Sequence, residues 1–253
     1  MKPASRKKNG RFFGIGVGPG DPRLLTLRGA EILRQSEVVF HVAGARTDES
    51  VSGRVVDAVD GCRARRVELV FTMAPDQRDR QAAWRRNARL VAAELRQGRD
   101  CAFVTIGDPL LYSTYIYLVR ELRRLIPRIR VETVPGISAF QAAAAKAHLP
   151  LVENREVLTI IPAWAEDNLD HPAIQNADTL VFLKTYRHRN QLLSKLRQHG
   201  FSKTLYAARV GLPDEKIVHS PARIRRLADE YLSLLIVKKR RKINRRPPLG
   251  APK

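Results

Sequence analysis

Short apolar or β-branched runs alternate with stretches of helical period from Phe12 onward, a pattern that predicts an α/β protein. Strands are predicted at 12–18, 37–41, 65–70, 101–107 and 128–134, then at 156–162, 179–185, 204–210, 215–220 and 231–238, with helices filling most of the gaps. Segment 77–97 places Trp84, Ala88, Val91 and Leu95 on one helical face and Arg78, Arg85, Arg86, Arg89 and Arg96 mostly elsewhere, which predicts an amphipathic surface helix. A break at Val134-Pro135-Gly136 followed by a fresh series of elements predicts a second lobe. The expected organisation is an N-terminal α/β lobe over 11–133, a C-terminal α/β lobe over 134–239, and basic, disordered tails at 1–10 and 240–253. No repeat of fixed period is visible, which argues against solenoids and propellers.

Charge changes this picture less than its size suggests. The net charge is +21, but residues 1–11 and 238–253 carry 5 and 8 basic residues and no acidic ones, so the ends hold 13 of the 21. Non-specific contact of those ends with RNA or lipid is one reading, and plain solvation is the other. No apolar stretch approaches the ~20 residues that cross a bilayer, and no secretory signal is visible, so a cytoplasmic protein is expected. Cys62 and Cys101 have neither metal-ligand nor redox spacing and are expected to pack as structural thiols.

Two junctions share a Gly-Asp-Pro triplet. The first, GIGVGPGDPRLLT, carries glycines at 14, 16, 18 and 20. It is not a dinucleotide fingerprint, because neither position 19 nor position 21 is glycine and no acidic residue closes the second strand. It also lacks the ending of a phosphate-cradling P-loop. Two readings stand: glycines that let backbone approach a ligand or a neighbouring strand closely, or a tight turn in which Asp21 caps a helix opened by Pro22. The second, CAFVTIGDPLLYSTYIYL, offers the same choice for Asp108 and Pro109 and adds Tyr112, Ser113 and Thr114 at the carboxyl end of a buried strand, where open α/β sheets bind ligands.

GVGPGDPRLLTLRGAEIL, TIGDPLLYSTYIYL and VPGISAFQAAAAKAHLPL, in that order, resemble the motifs of the tetrapyrrole methylases, and the likeness runs from about Gly10 to Lys239. YSTYIYL, LPLVENREVLTIIPA and YLSLLIVKK resemble the branch that methylates C-20 of precorrin-2 or cobalt-factor II. The resemblance implies the two-lobed class III methyltransferase fold, a homodimer, and S-adenosyl-L-methionine held in a cleft between the lobes. It places Pro19, Ile106, Gly107, Asp108, Leu111, Ser113, Thr114, Ser138 and Ala139 at the cofactor, with Leu183 and Ala208 from the second lobe; core packing is the other reading of the last two.

The tetrapyrrole of this pathway carries eight carboxylates, so the resemblance further implies a basic trough. His41, Arg46, Tyr112, Lys184, Arg187 and Arg209 are the substrate candidates. Methyl transfer needs alignment of donor and acceptor rather than a nucleophilic side chain, and the chain has no GxSxG, HExxH or paired Cys/His, so no catalytic residue and no metal ligand of the protein is expected. The loop HVAGARTDES departs from the proline-marked version of the family, while LTIIPA and Phe71-Thr72-Met73 favour the cobalt-bearing substrate. The competing readings are a methylase of the same fold acting on ribosomal RNA or on the diphthamide precursor, a non-enzymatic basic nucleic-acid-binding protein, and a nicotinamide-dependent oxidoreductase.

Overall fold

The computed structural model describes residues 8–42, 50–72, 76–162, 172–186 and 189–239. Internal contacts divide the chain into two units, Met1–Ala142 with Val210–Asp214, and Ala143–Arg209 with Glu215–Lys253. The division falls at 142/143 rather than at the expected 133/134, because the segment after the fifth strand packs on the first sheet.

The first unit holds β1 (Phe12–Gly16), β2 (Val38–Val42), β3 (Arg65–Leu69), β4 (Cys101–Thr105) and β5 (Val131–Val134) in the order β3-β2-β4-β1-β5, with every pairing parallel. Such a sheet is covered on both faces, which explains why β1 and β4 read as unbroken apolar runs and are buried throughout. Alternation sorts their side chains between two layers. Phe12, Phe40 and Phe103 pack with α3 (Gln77–Arg96) and α4 (Tyr115–Leu125), whereas Phe13, Ile15, Val39 and Val104 pack with α1 (Leu27–Gln35) and α2 (Val51–Asp57). In α3 the predicted face holds: Ala88, Val91 and Leu95 are buried and Arg78, Arg85, Arg86, Arg89 and Arg96 are exposed. Half-buried Trp84 stacks on Tyr117 of α4, ring centroids 4.1 Å apart. Strand β5 starts three residues later than predicted because Pro127-Arg128 turn the chain after α4.

The second unit holds β6 (Leu158–Pro162), β7 (Thr179–Leu183), β8 (Phe201–Ala208), β9 (Lys216–Val218) and β10 (Ser233–Lys239) in the order β6-β7-β10-β8-β9, with α6 (Pro172–Gln175), α7 (Arg189–Gln198) and α8 (Pro221–Arg225). Only β6 and β7 pair in parallel; β10 runs antiparallel to both neighbours. Helix α5 (Ala139–Lys146) spans the division between the units. Two basic residues are structural here. The buried Arg189 guanidinium donates to the carbonyls of Ala228 and Leu227 and lies over the Tyr206 ring. Lys238, counted with the basic end by its sequence position, is buried and donates to Pro150 O and to Glu156. No helix among the described residues is long and apolar enough to cross a membrane.

Candidate functional site

The glycines of the first junction are matched to backbone or side chains of their own unit. At mid-strand, Gly14 admits the Tyr115 ring, since a Cβ there would lie 2.2 Å from it. Tyr115 stacks between Phe12 and Phe103 and shares a hydrogen bond of 2.6 Å between its hydroxyl and that of Thr133. At the end of β1, a Cβ on Gly16 would fall 2.4 Å from Gly107 O and 2.6 Å from Gly136 N. Three backbones therefore converge where β1, β4 and β5 end, and the Gly107 amide donates to Gly18 O at 2.8 Å. The turn after β1 packs against returning residues 210–212: a Cβ on Gly20 would meet Leu212 at 2.8 Å. Of the two readings of this junction, close packing of the chain on itself accounts for Gly14, Gly16 and Gly20. Pro19 is buried among them.

The two Asp-Pro pairs differ. Asp21 accepts from Arg23 N at 3.0 Å and caps one 3-10 turn, Pro22–Leu24; α1 starts only at Leu27, capped by Thr26. Asp108 caps no helix, because α4 starts at Tyr115. Its Oδ1 accepts from Leu110 N at 2.8 Å and its Oδ2 from Gly136 N at 3.0 Å, so this carboxylate fixes its own turn and ties the β4 loop to the β5 loop. Neither Asp-Pro pair caps an α-helix, so the helix-cap reading holds only for the 3-10 turn at Asp21.

Around that brace lie most of the predicted cofactor residues. Ile106 and Leu111 are half-buried, and Gly107 has φ +71, a left-handed backbone that favours glycine. A Cβ built on Gly107 would find only Ser138 Cα, at 3.9 Å, so the space above this peptide is open. Ser138 is buried; its amide donates to Gln141 Oε1, and its hydroxyl makes no hydrogen bond among the described residues. Ala139 follows as the first residue of α5. Buried Ser113 donates to Thr105 Oγ1 at 3.2 Å and accepts from Tyr115 N, which anchors the start of α4 to the end of β4, while Thr114, the formal cap, makes no side-chain capping bond. Gly107 thus leaves room beside its peptide, with buried Ser138 as the nearest neighbour, while the Thr105 and Ser113 hydroxyls bond to each other.

The substrate candidates fall at strand ends. His41 is the penultimate residue of β2, opposite Val104 of β4, with Nδ1 buried and without a hydrogen-bond partner among the described residues. Tyr112 is exposed at φ +51. In the second unit, Leu183 and Ala208 end β7 and β8 on either side of β10, opposite Leu234 and Ser233. Leu183 is half-buried and Ala208 buried, so these two do pack in their own sheet. The next residues, Lys184 and Arg209, have φ +61 and +52, and their amides donate to Ser233 O and Leu232 O. Arg209 also faces Glu230 at 3.9 Å, an acidic neighbour that sequence reading did not anticipate. Desolvation lowers the Lys184 pKa below the usual lysine value. Left-handed backbone costs an ordinary residue about 1–2 kcal/mol. Tyr112, Lys184 and Arg209 are three of the five non-glycine residues with positive φ among those described, so strain concentrates at predicted binding positions. Arg46 and Arg187 lie outside the described residues.

A model of the family described as Tetrapyrrole (Corrin/Porphyrin) Methylases matches residues 11–224. The chain belongs to the tetrapyrrole methylase family. This methylase is 32% identical over 209 residues to the cobalt-precorrin-2 C(20)-methyltransferase of Salmonella typhimurium, covering 82% of this chain and 87% of that one. It is also 32% identical over 237 residues to the probable cobalt-precorrin-2 C(20)-methyltransferase of Methanocaldococcus jannaschii, covering 90% and 96%. Among solved structures, the methylase matches the uroporphyrin-III C-methyltransferase of Thermus thermophilus complexed with S-adenosylhomocysteine, with a TM-score of 0.67, 23% identity and 90% and 92% coverage, a likeness of fold.

Proposed function

We propose that this methylase transfers a methyl group from S-adenosylmethionine to C-20 of precorrin-2, with the cobalt-bearing form as the preferred substrate. The observation that carries this reading is the likeness, at 32% identity and over 82% and 90% of the chain, to two enzymes that are both named for methylation at that carbon of the cobalt-bearing tetrapyrrole. The room beside Gly107 and the Ser138 hydroxyl, which has no partner among the described residues, are consistent with the cofactor that the resemblance implies.

Bound S-adenosylmethionine supplies an electrophilic methyl group on a sulfonium. The backbone of Ile106–Asp108, with Pro19, Leu111, Ser113, Thr114, Ser138 and Ala139, holds and orients it in this reading. His41, Arg46, Tyr112, Lys184, Arg187 and Arg209 grip the carboxylated rim of the substrate. The methyl group would pass to C-20 with S-adenosylhomocysteine as the leaving group, and the proton that carbon carried would go to solvent. The protein chiefly aligns the two partners and excludes water, which is where an oriented pair gains most over one in solution. The Asp108 brace serves alignment by fixing the loop on which the donor would rest.

The same reading makes the methylase a cytoplasmic homodimer. Anaerobic incubation with the donor and each tetrapyrrole, followed by mass spectrometry, tests the reaction, and sedimentation equilibrium tests the dimer. A gain of one methyl group supports the activity; absence of product from both tetrapyrroles contradicts it.

A further inference from the structure

We infer that His41 is a substrate-positioning residue which carries its ring proton on Nε2 and donates it to a carboxylate of the tetrapyrrole. The inference rests on the functional reading above and adds to it the atom that makes the contact.

His41 is the penultimate residue of β2, whose neighbour in the sheet is β4, and it stands opposite Val104. The Ile106–Asp108 loop starts two residues beyond Val104, so His41 lies about one strand spacing, ~4.8 Å, to the side of the strand that leads into that loop. A macrocycle presented at that loop is wide enough to reach it.

The ring is half-buried with Nδ1 sealed from solvent. Its neighbour on that side is the first turn of α2, where a Cβ on Gly53 would lie 3.7 Å from Nδ1. The polar groups of that turn are already engaged. Ser50 Oγ accepts from Gly53 N at 3.3 Å, and the Ser50 and Ser52 hydroxyls bond to each other at 3.0 Å. A proton on Nδ1 would be a buried donor without an acceptor, and such a donor costs the full desolvation of the group. A buried lone pair is better tolerated. The geometry therefore puts the proton on Nε2, the nitrogen left to meet a ligand, and a ring N–H at the end of a strand suits an anionic oxygen.

The isosteric pair of amides separates the two nitrogens, since the Gln side-chain nitrogen reaches the Nε2 position and the Asn nitrogen the Nδ1 position. Absorbance titration of the full-length protein with cobalt-factor II is expected to give His41→Gln a Kd within about threefold of wild type. For His41→Asn and His41→Ala the Kd should rise roughly 10- to 100-fold, the loss of a hydrogen bond to a charged acceptor. Cofactor affinity by calorimetry should be the same in all variants. Long-range 15N–1H correlation of His41 in the free protein should show the Nε2–H tautomer. An Nδ1–H tautomer, equal affinity in Asn and Gln variants, or a parallel loss of cofactor binding would overturn the inference. Wild-type binding without methyl transfer would instead sink the functional reading and leave the His41 assignment standing.

Discussion

The Gly136 amide and the Asp108 carboxylate are joined by a hydrogen bond of 3.0 Å across 28 residues of sequence, while the other carboxylate oxygen holds Leu110 N at 2.8 Å. One side chain thus sets both the shape of the β4 loop and its distance from the β5 loop. Asp108→Ala should lower stability by roughly 1–3 kcal/mol, because two amides lose a charged acceptor. It should also raise the cofactor dissociation constant about tenfold or more. Asp108→Asn, which keeps one acceptor oxygen, should fall between. Thermal melts and calorimetry on the two variants check this, and a stability loss with unchanged cofactor affinity would separate the brace from the binding site.

Gly14 and Tyr115 form the second constraint. A methyl group at position 14 would sit inside the Tyr115 ring, so Gly14→Ala should cost about 1–3 kcal/mol by overpacking. Tyr115→Phe removes only the hydroxyl bond to Thr133 and should cost about 1 kcal/mol. Urea denaturation of the two variants distinguishes steric from polar contributions.

Much of this architecture was legible in the chain, and what was not has physical causes. Strands such as β1, β4 and β10 follow from apolar runs that a buried sheet requires, and the α3 face follows from its helical period. Asp-Pro is ambiguous by itself: it serves a 3-10 turn at Asp21 and a braced loop at Asp108, and the choice depends on Gly136, far away in sequence. The mid-strand glycine at 14 signals a close approach, but its partner Tyr115 is known only once α4 is docked. Arg189 and Lys238 look like solvated charges in sequence, yet both are buried because carbonyl groups of loops need donors. For Leu183 and Ala208 the sequence left core packing and cofactor binding open; the sheet satisfies the first and leaves both at strand ends.

Lys184 and Arg209 hold left-handed backbones that glycine would adopt without strain. Lys184→Gly and Arg209→Gly should therefore leave the melting temperature unchanged or raise it, by the equivalent of up to about 1 kcal/mol. If the side chains grip substrate carboxylates, the same variants should raise KM while kcat changes little. Melts paired with steady-state kinetics test this; unaltered KM would assign the strain to folding alone.

Cys101 is buried at the start of β4, and burial, with Glu94 adding to it, pushes its thiol up to about 12. The thiol stays protonated through the working range of alkylating reagents, and the thiolate is the reactive form. Iodoacetamide at pH 8 should modify half-buried Cys62 alone in the native protein and both cysteines in denaturant. Peptide mass mapping reads the outcome, and native labelling of Cys101 would contradict its burial.

The most direct test of the account is the anaerobic reaction of the purified methylase with S-adenosylmethionine and, separately, precorrin-2 and cobalt-factor II, read by mass spectrometry of the tetrapyrrole. The account predicts one added methyl group, at C-20, with the cobalt-bearing substrate consumed faster. Tight cofactor binding with no methylation of either tetrapyrrole would contradict it.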